Sequence, residues 1–413
     1  MRDKELYRQI LGIEAPWTVR DVTLRLAEGE VIVHVEHTGK GLRCPECDRE
    51  SSCYDHRERR WRHLDTCQYR TVIVARVPRV ACPEHGVLQI RVPWSESHSR
   101  FTALFEALVI DWLREASESA VSRLLRLSWD EVDGVMERAV RRGLLRREDQ
   151  SATRIGVDET SFRKRHDYVT VVTDQDSGDV LHVGDGRDER ALRGYYEGLT
   201  GQQLKAIEAV SMDMWKAYIK ATRASVPDAD TKIAFDRFHV SRHLNEAVDK
   251  IRRQEHKALR GEGCDDLKNT KYWWLMNPKN MDENLWNDFE TLRESKLKTA
   301  RAWSIKELAA TLWGYVTRGW ARKAWKKWLS WAMRCRLKPI KAAACMIRDH
   351  LWGILNAIAL KATNARAESI NAKIQKIKAQ ACGYRNRERF RNAIYFHLGG
   401  LDLYPASITH TNL

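Results

Sequence analysis

The sequence predicts a multidomain protein of the α/β plus α class, with a metal-binding β domain, a helix-turn-helix, an α/β core and an all-helical insertion. Three observations lead to this prediction. Short cysteine and histidine motifs flank a strand-like segment near the N-terminus, strands and helices alternate over residues 151–239, and residues 240–355 show helical periodicity alone. A chain of 413 residues is too long for one hydrophobic core, so several domains are expected.

The charge balance favours a polyanionic partner. Against 56 Asp and Glu stand 71 Lys and Arg, a formal charge of +15, which indicates nucleic acid before a membrane surface. No apolar run of about 18 residues exists, which excludes a membrane-spanning helix. The first residues, Met1 to Glu5, lead into no apolar signal-peptide core. We therefore expect a cytoplasmic protein with no membrane partner.

Residues 1–98 are predicted to form a zinc-binding β domain. Alternating apolar residues predict strands over Val19–Leu26 and Val31–Val35, followed by the knuckles Cys44-x-x-Cys47 and Cys82-x-x-His85. Four such ligands suit one tetrahedral Zn²⁺, because a two-residue gap lets both ligands of a knuckle reach one ion. Nine cysteines in a reducing cytosol argue against a disulfide framework. Buried free thiols beside a surface histidine are the alternative. Further candidate ligands are Cys53, Cys67, His56 and His63.

Residues 99–150 are predicted to form a helix-turn-helix. An amphipathic helix begins near Phe101, a short helix follows Ser117, and a third helix begins at the capping-box sequence Ser128 to Glu131. The third helix is basic, as expected for a helix that contacts DNA. Its candidate DNA-binding residues are Arg138, Arg141 and Arg142. The alternative is a helical spacer whose arginines face water.

Residues 151–239 alternate between strands and helices. Three apolar, β-branched strands come first, and helix, strand, helix and strand follow, which is the order of a ribonuclease H-like core. In that layout Asp158 ends the first strand and Asp213 ends the fourth. Neighbouring strands then place both carboxylates at one edge of the sheet.

Residues 240–355 are predicted to be an all-helical insertion dense in lysine, arginine and tryptophan. Ten of the sixteen tryptophans lie between Trp273 and Trp352. Aromatic side chains among basic ones bind nucleic acid in some proteins. Tryptophans at helical spacing are more often core residues, and both interpretations stay open at this point.

Residues 356–413 are predicted to return to the core and to end in a basic segment. Asn364, Glu368, Asn371 and Gln375 share one helix face, and this short-chained polar stripe indicates a contact. Positive charge after it is suited to cover phosphates. The candidate DNA-binding residues here are Lys373, Lys376, Lys378, Arg385 and Arg387.

Four segments carry a further pattern: Gly156 to Thr160, Ser211 to Trp215, Phe235 to His239 and Asn364 to Lys373. They resemble the motif blocks of bacterial DDE transposases. The two N-terminal knuckles, followed by Val92 to Trp94 and Ser99 to Thr102, narrow the resemblance to the ISL3 insertion-sequence family. The resemblance covers nearly the whole chain.

The resemblance implies a transposase that binds terminal inverted repeats and catalyses metal-dependent DNA cleavage and strand transfer. It places Asp158, Asp213 and Glu368 at the catalytic positions, where carboxylates suit two Mg²⁺ or Mn²⁺ ions. Expected partners are double-stranded DNA, both terminal repeat and target, and a second copy of the chain on DNA, at the bacterial nucleoid. Residues expected to support the active site are Asp236, His239, Asn364 and Asn371.

Three alternatives stay open. A ribonuclease H-like nuclease or resolvase has the same acids but performs no strand transfer. A transcriptional regulator with zinc and a helix-turn-helix does not need three acids. A domesticated, inactive transposase keeps the fold.

Overall fold

The computed structural model describes residues 3–147, 152–163 and 167–406. These residues divide into two units. The first contains residues 3–147 and 401–406, and the second contains the described residues between 152 and 400. Within the described part of the chain, no helix is both long and apolar enough to cross a membrane.

The first unit begins with helix α1 (Asp3–Ile10), a five-stranded sheet and a small two-stranded sheet. The strands of the unit in chain order are β1 (Trp17–Arg25), β2 (Glu30–His37), β3 (Leu42–Arg43), β4 (Glu50–Ser51), β5 (Cys53–Thr66), β6 (Tyr69–Cys82) and β7 (Gly86–Gln89). Strands β1, β2, β6 and β5 lie side by side in that order, β7 pairs with β6, and β3 pairs only with β4. Strands β2 and β6 are parallel and the other pairs are antiparallel. The two predicted N-terminal strands are confirmed as β1 and β2.

Three tryptophans form the centre of this sheet's core. The ring of Trp94 lies edge-on to Trp17 at 4.8 Å and to Trp61 at 5.5 Å between centroids. All three side chains are buried. The sequence patterns did not predict β5, a highly charged strand, and Trp61 is the residue that anchors it to the core.

Three helices complete the first unit. They are α2 (Ala103–Glu115), α3 (Glu118–Leu125) and α4 (Trp129–Arg146). Each helix is preceded by a residue whose side-chain hydroxyl accepts a hydrogen bond from a backbone N–H of the first turn. These residues are Thr102 for α2, Ser117 for α3 and Ser128 for α4. The predicted capping box is confirmed, because Glu131 also bonds back to the Ser128 backbone. Arg126 ends α3 in the left-handed conformation, which allows the tight turn into α4.

The second unit opens with an α/β segment. Its elements are β8 (Arg154–Arg163), β9 (Asp167–Asp174), β10 (Val180–Asp185), α5 (Glu189–Glu197), α6 (Gly201–Ala206), β11 (Ala209–Met212), α7 (Lys216–Ser225), α8 (Ala229–Lys232) and β12 (Ile233–Phe235). The strand order is β10, β9, β8, β11, β12. Strands β8, β11 and β12 are mutually parallel, whereas β9 is antiparallel to both β8 and β10.

The position of Asp158 within its strand differs from the prediction. The sequence places it at a strand end, yet β8 continues to Arg163 because it stays paired with β9, where Asp158 lies opposite Val171. The parallel pairing of β8 with β11 ends earlier, at Gly156 and Ser211. Asp158 is therefore inside its strand but just beyond the end of the parallel ladder.

Residues 237–359 are helical. The helices are α9 (Arg237–Gly261), α10 (Lys271–Leu275), α11 (Glu283–Glu294), α12 (Lys298–Thr311), α13 (Arg318–Arg334), α14 (Lys338–Asp349) and α15 (Leu351–Ala359), with 3-10 turns at Pro278–Asn280 and Leu312–Gly314. Trp274, Trp325 and Trp328 are almost fully buried, whereas Trp320 and Trp331 are exposed. The tryptophans therefore divide between core and surface.

Two further helices close the second unit, α16 (Ala365–Gln380) and α17 (Arg387–Leu398). Helix α16 confirms the helix predicted over residues 364–373 and lies against β8. Asn371, Gln375 and Lys378 donate hydrogen bonds from α16 to β8 residues, at 2.6 to 2.8 Å. The polar stripe predicted on this helix thus docks it on the sheet.

Candidate functional site

Four side chains converge beside the β6–β7 turn. Cys44 and Cys47 lie in the turn between β3 and β4, Cys82 is the last residue of β6, and His85 precedes β7. Their ligand atoms all lie within 4.8 Å of one another. Gly86, with a φ of +71°, supplies the left-handed turn that brings His85 back toward Cys82.

The spacing of these atoms fits a tetrahedral zinc ion. Ligands about 2.3 Å from a common tetrahedral centre lie roughly 3.8 Å apart. The Sγ atoms of Cys47 and Cys82 are 3.7 Å apart, and the His85 Nδ1 is 3.8 Å from Cys44 Sγ and 3.6 Å from Cys82 Sγ. The backbone N–H of His85 lowers the pKa of Cys82 to about 6, which favours the thiolate that binds metal.

The other predicted ligand candidates lie outside this group. Cys53 and His56 are near each other, with Sγ and Nδ1 3.9 Å apart, but neither belongs to the group of four. His63 is buried and bonded to Thr102 Oγ1 at 2.9 Å, and burial lowers its pKa to about 4. Cys67 is exposed in the β5–β6 turn. The structure therefore brings together Cys44, Cys47, Cys82 and His85.

The three predicted catalytic acids come from three different elements of the second unit. Asp158 lies in β8, Asp213 directly follows β11, and Glu368 is in the first turn of α16. The Asp158 carboxylate accepts from the Glu159 backbone N–H at 2.8 Å and from Asn371 Nδ2 at 2.6 Å. Burial raises the pKa of Asp158 to about 6. Asp158 is thus a fixed, half-buried carboxylate.

A histidine and a fourth acid connect Asp213 to Glu368. His239 Nδ1 is 3.4 Å from Asp213 Oδ2, and its Nε2 is 3.9 Å from Asp236 Oδ2. Burial raises the pKa of Asp236, and burial followed by the Asp236 charge raises the pKa of Glu368. The predicted supporting residues Asp236 and His239 therefore lie between the second and third acids.

Several polar atoms around these acids are buried without a hydrogen-bond partner among the described residues. They are Asp236 Oδ2, Asn371 Oδ1, and both amide atoms of Asn364. Such atoms are rare in proteins and are usually satisfied by water or ions. A Cβ on Gly156 would collide with Gln175 Nε2 and lie 2.9 Å from Thr173 Oγ1 and 3.0 Å from Asn364 Oδ1, so a larger residue here would displace these side chains. The carboxylate and amide oxygens of Asp236, Asn364 and Asn371 are hard donors, which suit Mg²⁺ or Mn²⁺.

Asp158, Asp213 and Glu368 do not belong to a compact group of metal-ligand atoms. Among the described residues, the cysteine and histidine group is the one whose ligand atoms all lie within 4.8 Å of one another.

A cavity of about 490 Å³ borders the acids on one side. It is lined by Asp236 and Glu368 together with Phe238, Trp313 and Tyr315. Sequence reasoning missed these aromatic residues. No local signal separates them from core aromatics, because only the fold brings residues 313 and 315 next to Glu368.

The predicted basic residues of α4 are not equivalent. Arg141 is exposed, whereas Arg138 bonds Glu106 Oε1 at 2.6 Å. Arg142 is buried and pairs with Glu96 at 2.5 Å and Glu106 at 3.0 Å. The prediction that Arg142 contacts DNA is corrected, because the buried Glu106 carboxylate needs the charge of its guanidinium.

The predicted basic residues after Glu368 also divide. Lys373, Lys376 and Arg385 are exposed. Lys378 bonds the Ser161 carbonyl at 2.8 Å and thereby helps dock α16. Arg387 pairs with Asp167 at 2.6 Å but stays largely exposed. The surface near α16 therefore keeps a positive charge.

Three sequence models of one family match consecutive parts of the chain. A DDE model described as "Transposase" matches residues 155–394, and one described as "Helix-turn-helix domain of transposase family ISL3" matches residues 90–140. A third, "zinc-finger of transposase IS204/IS1001/IS1096/IS1165", matches residues 40–85.

Two relatives match over most of their length. The chain is 30% identical over 421 residues to the transposase for insertion sequence element IS1557 of Mycobacterium tuberculosis. This alignment covers 94% of the chain and 93% of the relative. It is 28% identical over 364 residues to the transposase for insertion sequence element IS1001 of Bordetella parapertussis, covering 87% and 89% respectively.

Proposed function

The chain belongs to the ISL3 family of insertion-sequence transposases, and from this premise we propose that Asp158, Asp213 and Glu368 form its catalytic centre. It is a DNA-transposing enzyme with a zinc ribbon and a helix-turn-helix DNA-binding domain. The observation that carries the proposal is the strand order, third, second, first, fourth, fifth. That order is the one expected of a ribonuclease H-like core, and it puts the strands of both aspartates side by side.

The residues around the centre support metal-dependent phosphoryl transfer. Asp158, Asp213 and Glu368 would hold a pair of Mg²⁺ or Mn²⁺ ions, which would supply stabilisation of the charge on the attacking and leaving oxygens. Asn371 and the Glu159 N–H fix the orientation of the Asp158 carboxylate. His239 Nδ1 lies 3.4 Å from Asp213 Oδ2 and is positioned to orient that carboxylate. No nucleophilic side chain is needed, because water and a DNA hydroxyl are the nucleophiles.

Two displacements at this one centre account for transposition. In the first, water attacks a phosphodiester at an element end, the bond to the 3′ oxygen breaks, and a free 3′-hydroxyl and a 5′-phosphate result. In the second, that 3′-hydroxyl attacks a target phosphodiester, so that one bond to phosphorus forms as another breaks. The number of phosphodiester bonds is unchanged by the second step, which needs no external energy source.

The first unit has the features of an end-recognition module. Cys44, Cys47, Cys82 and His85 would hold one structural Zn²⁺, whose binding contributes directly to folding. Helix α4, with Arg141 on its exposed surface, would contact the terminal inverted repeats. We further propose that the enzyme acts as a homodimer on DNA at the bacterial nucleoid, since two ends must be joined to one target.

One assay tests this function. The full-length protein is incubated with Mg²⁺ and a duplex that carries its own element end with flanking DNA, and new 3′ ends are mapped. We expect cleavage at the element boundary and joined products when target DNA is added. Cleavage without joined products would instead support a nuclease or resolvase, and binding without cleavage would support a regulator.

A further inference from the structure

Helix α13 carries a strongly basic exposed face that the proposed catalytic centre does not explain. Its 17 residues, Arg318–Arg334, include no aspartate or glutamate. Residues three and four apart lie on one face of a helix, and the buried face is occupied by Trp325 and Trp328. The exposed cations on the other side are Arg322, Lys323, Lys326, Lys327 and Arg334.

These cations lack acidic partners. Within the part of the chain that the structure describes, none of the five forms an ion pair. By contrast, Arg252 and Arg253 on α9 both pair with Asp249. Arg322 and Lys326 lie four residues apart, as do Lys323 and Lys327, and like charges at this spacing destabilise a helix. Helix stability therefore does not explain this face.

Aromatic side chains lie among the cations. Trp320 is 64% exposed and Trp331 is 38% exposed, although tryptophan is among the residues most often buried on average. The Lys323 ammonium lies 5.0 Å from the centre of the Trp320 ring. An exposed basic face with adjoining indoles has the composition of a surface that contacts nucleic acid.

The helix begins beside the candidate active site. Tyr315 and Val316, just before α13, line the same cavity as Asp236 and Glu368. From that point the 17 residues extend about 25 Å at 1.5 Å per residue. This length corresponds to roughly seven base pairs at 3.4 Å each.

We propose that the exposed face of α13 binds the phosphate backbone of double-stranded DNA next to the phosphodiester held at the catalytic acids. The proposal rests on the proposed function in that the bound DNA is the enzyme's substrate. We expect this binding to depend mainly on phosphate contacts, because three of the five cations are lysines, whose ammonium groups contact phosphates as point charges, and the arginines also bind phosphates.

The test compares two full-length variants of equal net charge. In the first, R322Q/K323Q/K326Q/K327Q removes four cations from α13. The matched control, K257Q/R260Q/K279Q/K296Q, removes three lysines and one arginine from exposed positions elsewhere in the helical segment. Each protein is titrated with a labelled random-sequence duplex at several NaCl concentrations, and its melting temperature confirms folding.

We expect the α13 variant to bind the duplex at least tenfold more weakly than the wild type near 0.15 M NaCl. The slope of log Kd against the logarithm of the NaCl concentration should decrease by about 3 to 4, since each phosphate contact contributes about 0.9 to this slope. The control should lose less than about twofold. Equal losses in both variants would mean that net charge alone matters and would overturn the proposal.

Two further arms separate the other outcomes. If the α13 variant lost affinity only for a single-stranded probe, and Trp320→Ala lost it too, the assignment to duplex DNA would be overturned. The face would then bind single-stranded DNA by stacking of bases on the indole ring. Unchanged duplex binding by the α13 variant refutes this proposal alone if the wild type still cleaves element ends. Failure of the wild type to bind or cleave any DNA would instead refute the proposed function.

Discussion

Replacing Asp158 with asparagine should strongly reduce cleavage while making the metal-free protein more stable at neutral pH. Burial raises the pKa of this carboxyl from 3.8 to about 6, and one pKa unit corresponds to about 1.4 kcal/mol. The ionised carboxylate therefore destabilises the metal-free fold by at most about 3 kcal/mol, and solvent screening reduces this to about 1–2 kcal/mol. Asparagine removes that charge. The Asn371 amide can turn over so that its unpaired Oδ1 accepts from the new side chain.

The pH dependence of folding stability determines at which pH the variant is more stable than the wild type. Because the folded pKa of Asp158 lies above its ordinary value of 3.8, this group costs the fold no stability below about pH 4, and the cost grows as the pH rises to about 6. The variant should therefore melt several degrees above the wild type at pH 8 and at the same temperature at pH 4. Thermal melts in EDTA measure this, with the exposed turn variant Asp176→Asn as control.

Two outcomes would refute this reasoning. Equal melting temperatures at pH 8 would show that Asp158 carries no buried charge. Saturating Mg²⁺ should reverse the order by binding the wild-type carboxylates, and a variant stabilised equally by Mg²⁺ would remove Asp158 from the metal site. In the end-cleavage assay the variant should lose about 10²–10³ in rate.

Three further predictions follow from the structure. Glu368→Gln should bind element ends normally and cleave them about 10²–10³ times more slowly. If this variant cleaved at the wild-type rate, Glu368 would not be a catalytic residue, and the proposal for the two aspartates would be unaffected. Cys47→Ser should lose the single Zn²⁺ measured by elemental analysis and weaken end binding, whereas Cys53→Ser should retain both. Glu106→Gln should destabilise the first unit by about 3 kcal/mol, because Arg142 stays buried with a weaker partner. The control Glu137→Gln, at an exposed position of α4, should melt like the wild type.

Much of the architecture could be predicted because local patterns specify it. Alternation defined β1 and β2, and the Ser128 capping box located the start of α4. In the second unit, apolar runs between turn residues located five strands in their order along the chain. The zinc knuckles are equally local, since two residues of spacing bring both ligands of a pair together. These features depend on neighbours in sequence.

The features that escaped prediction depend on distant contacts. Strand β5 is too charged to show an apolar alternation, and it forms because Trp61 packs on Trp94 and its backbone pairs with β6. Arg142 looked like a surface cation because nothing nearby in sequence indicates the buried Glu106. The aromatic residues beside Glu368 likewise belong to a segment whose position only the complete fold determines.

The hydrogen bond from Asn371 to Asp158 joins residues that are 213 positions apart, and this separation has a consequence for synthesis. At about 5–20 residues per second, roughly 10–40 s pass between the emergence of the two residues from the ribosome. During this time a nascent chain already has its N-terminal DNA-binding modules but lacks Glu368. A prematurely terminated chain would occupy element ends without cutting them. Incomplete products that end before Glu368 should therefore compete with the full-length enzyme for element ends.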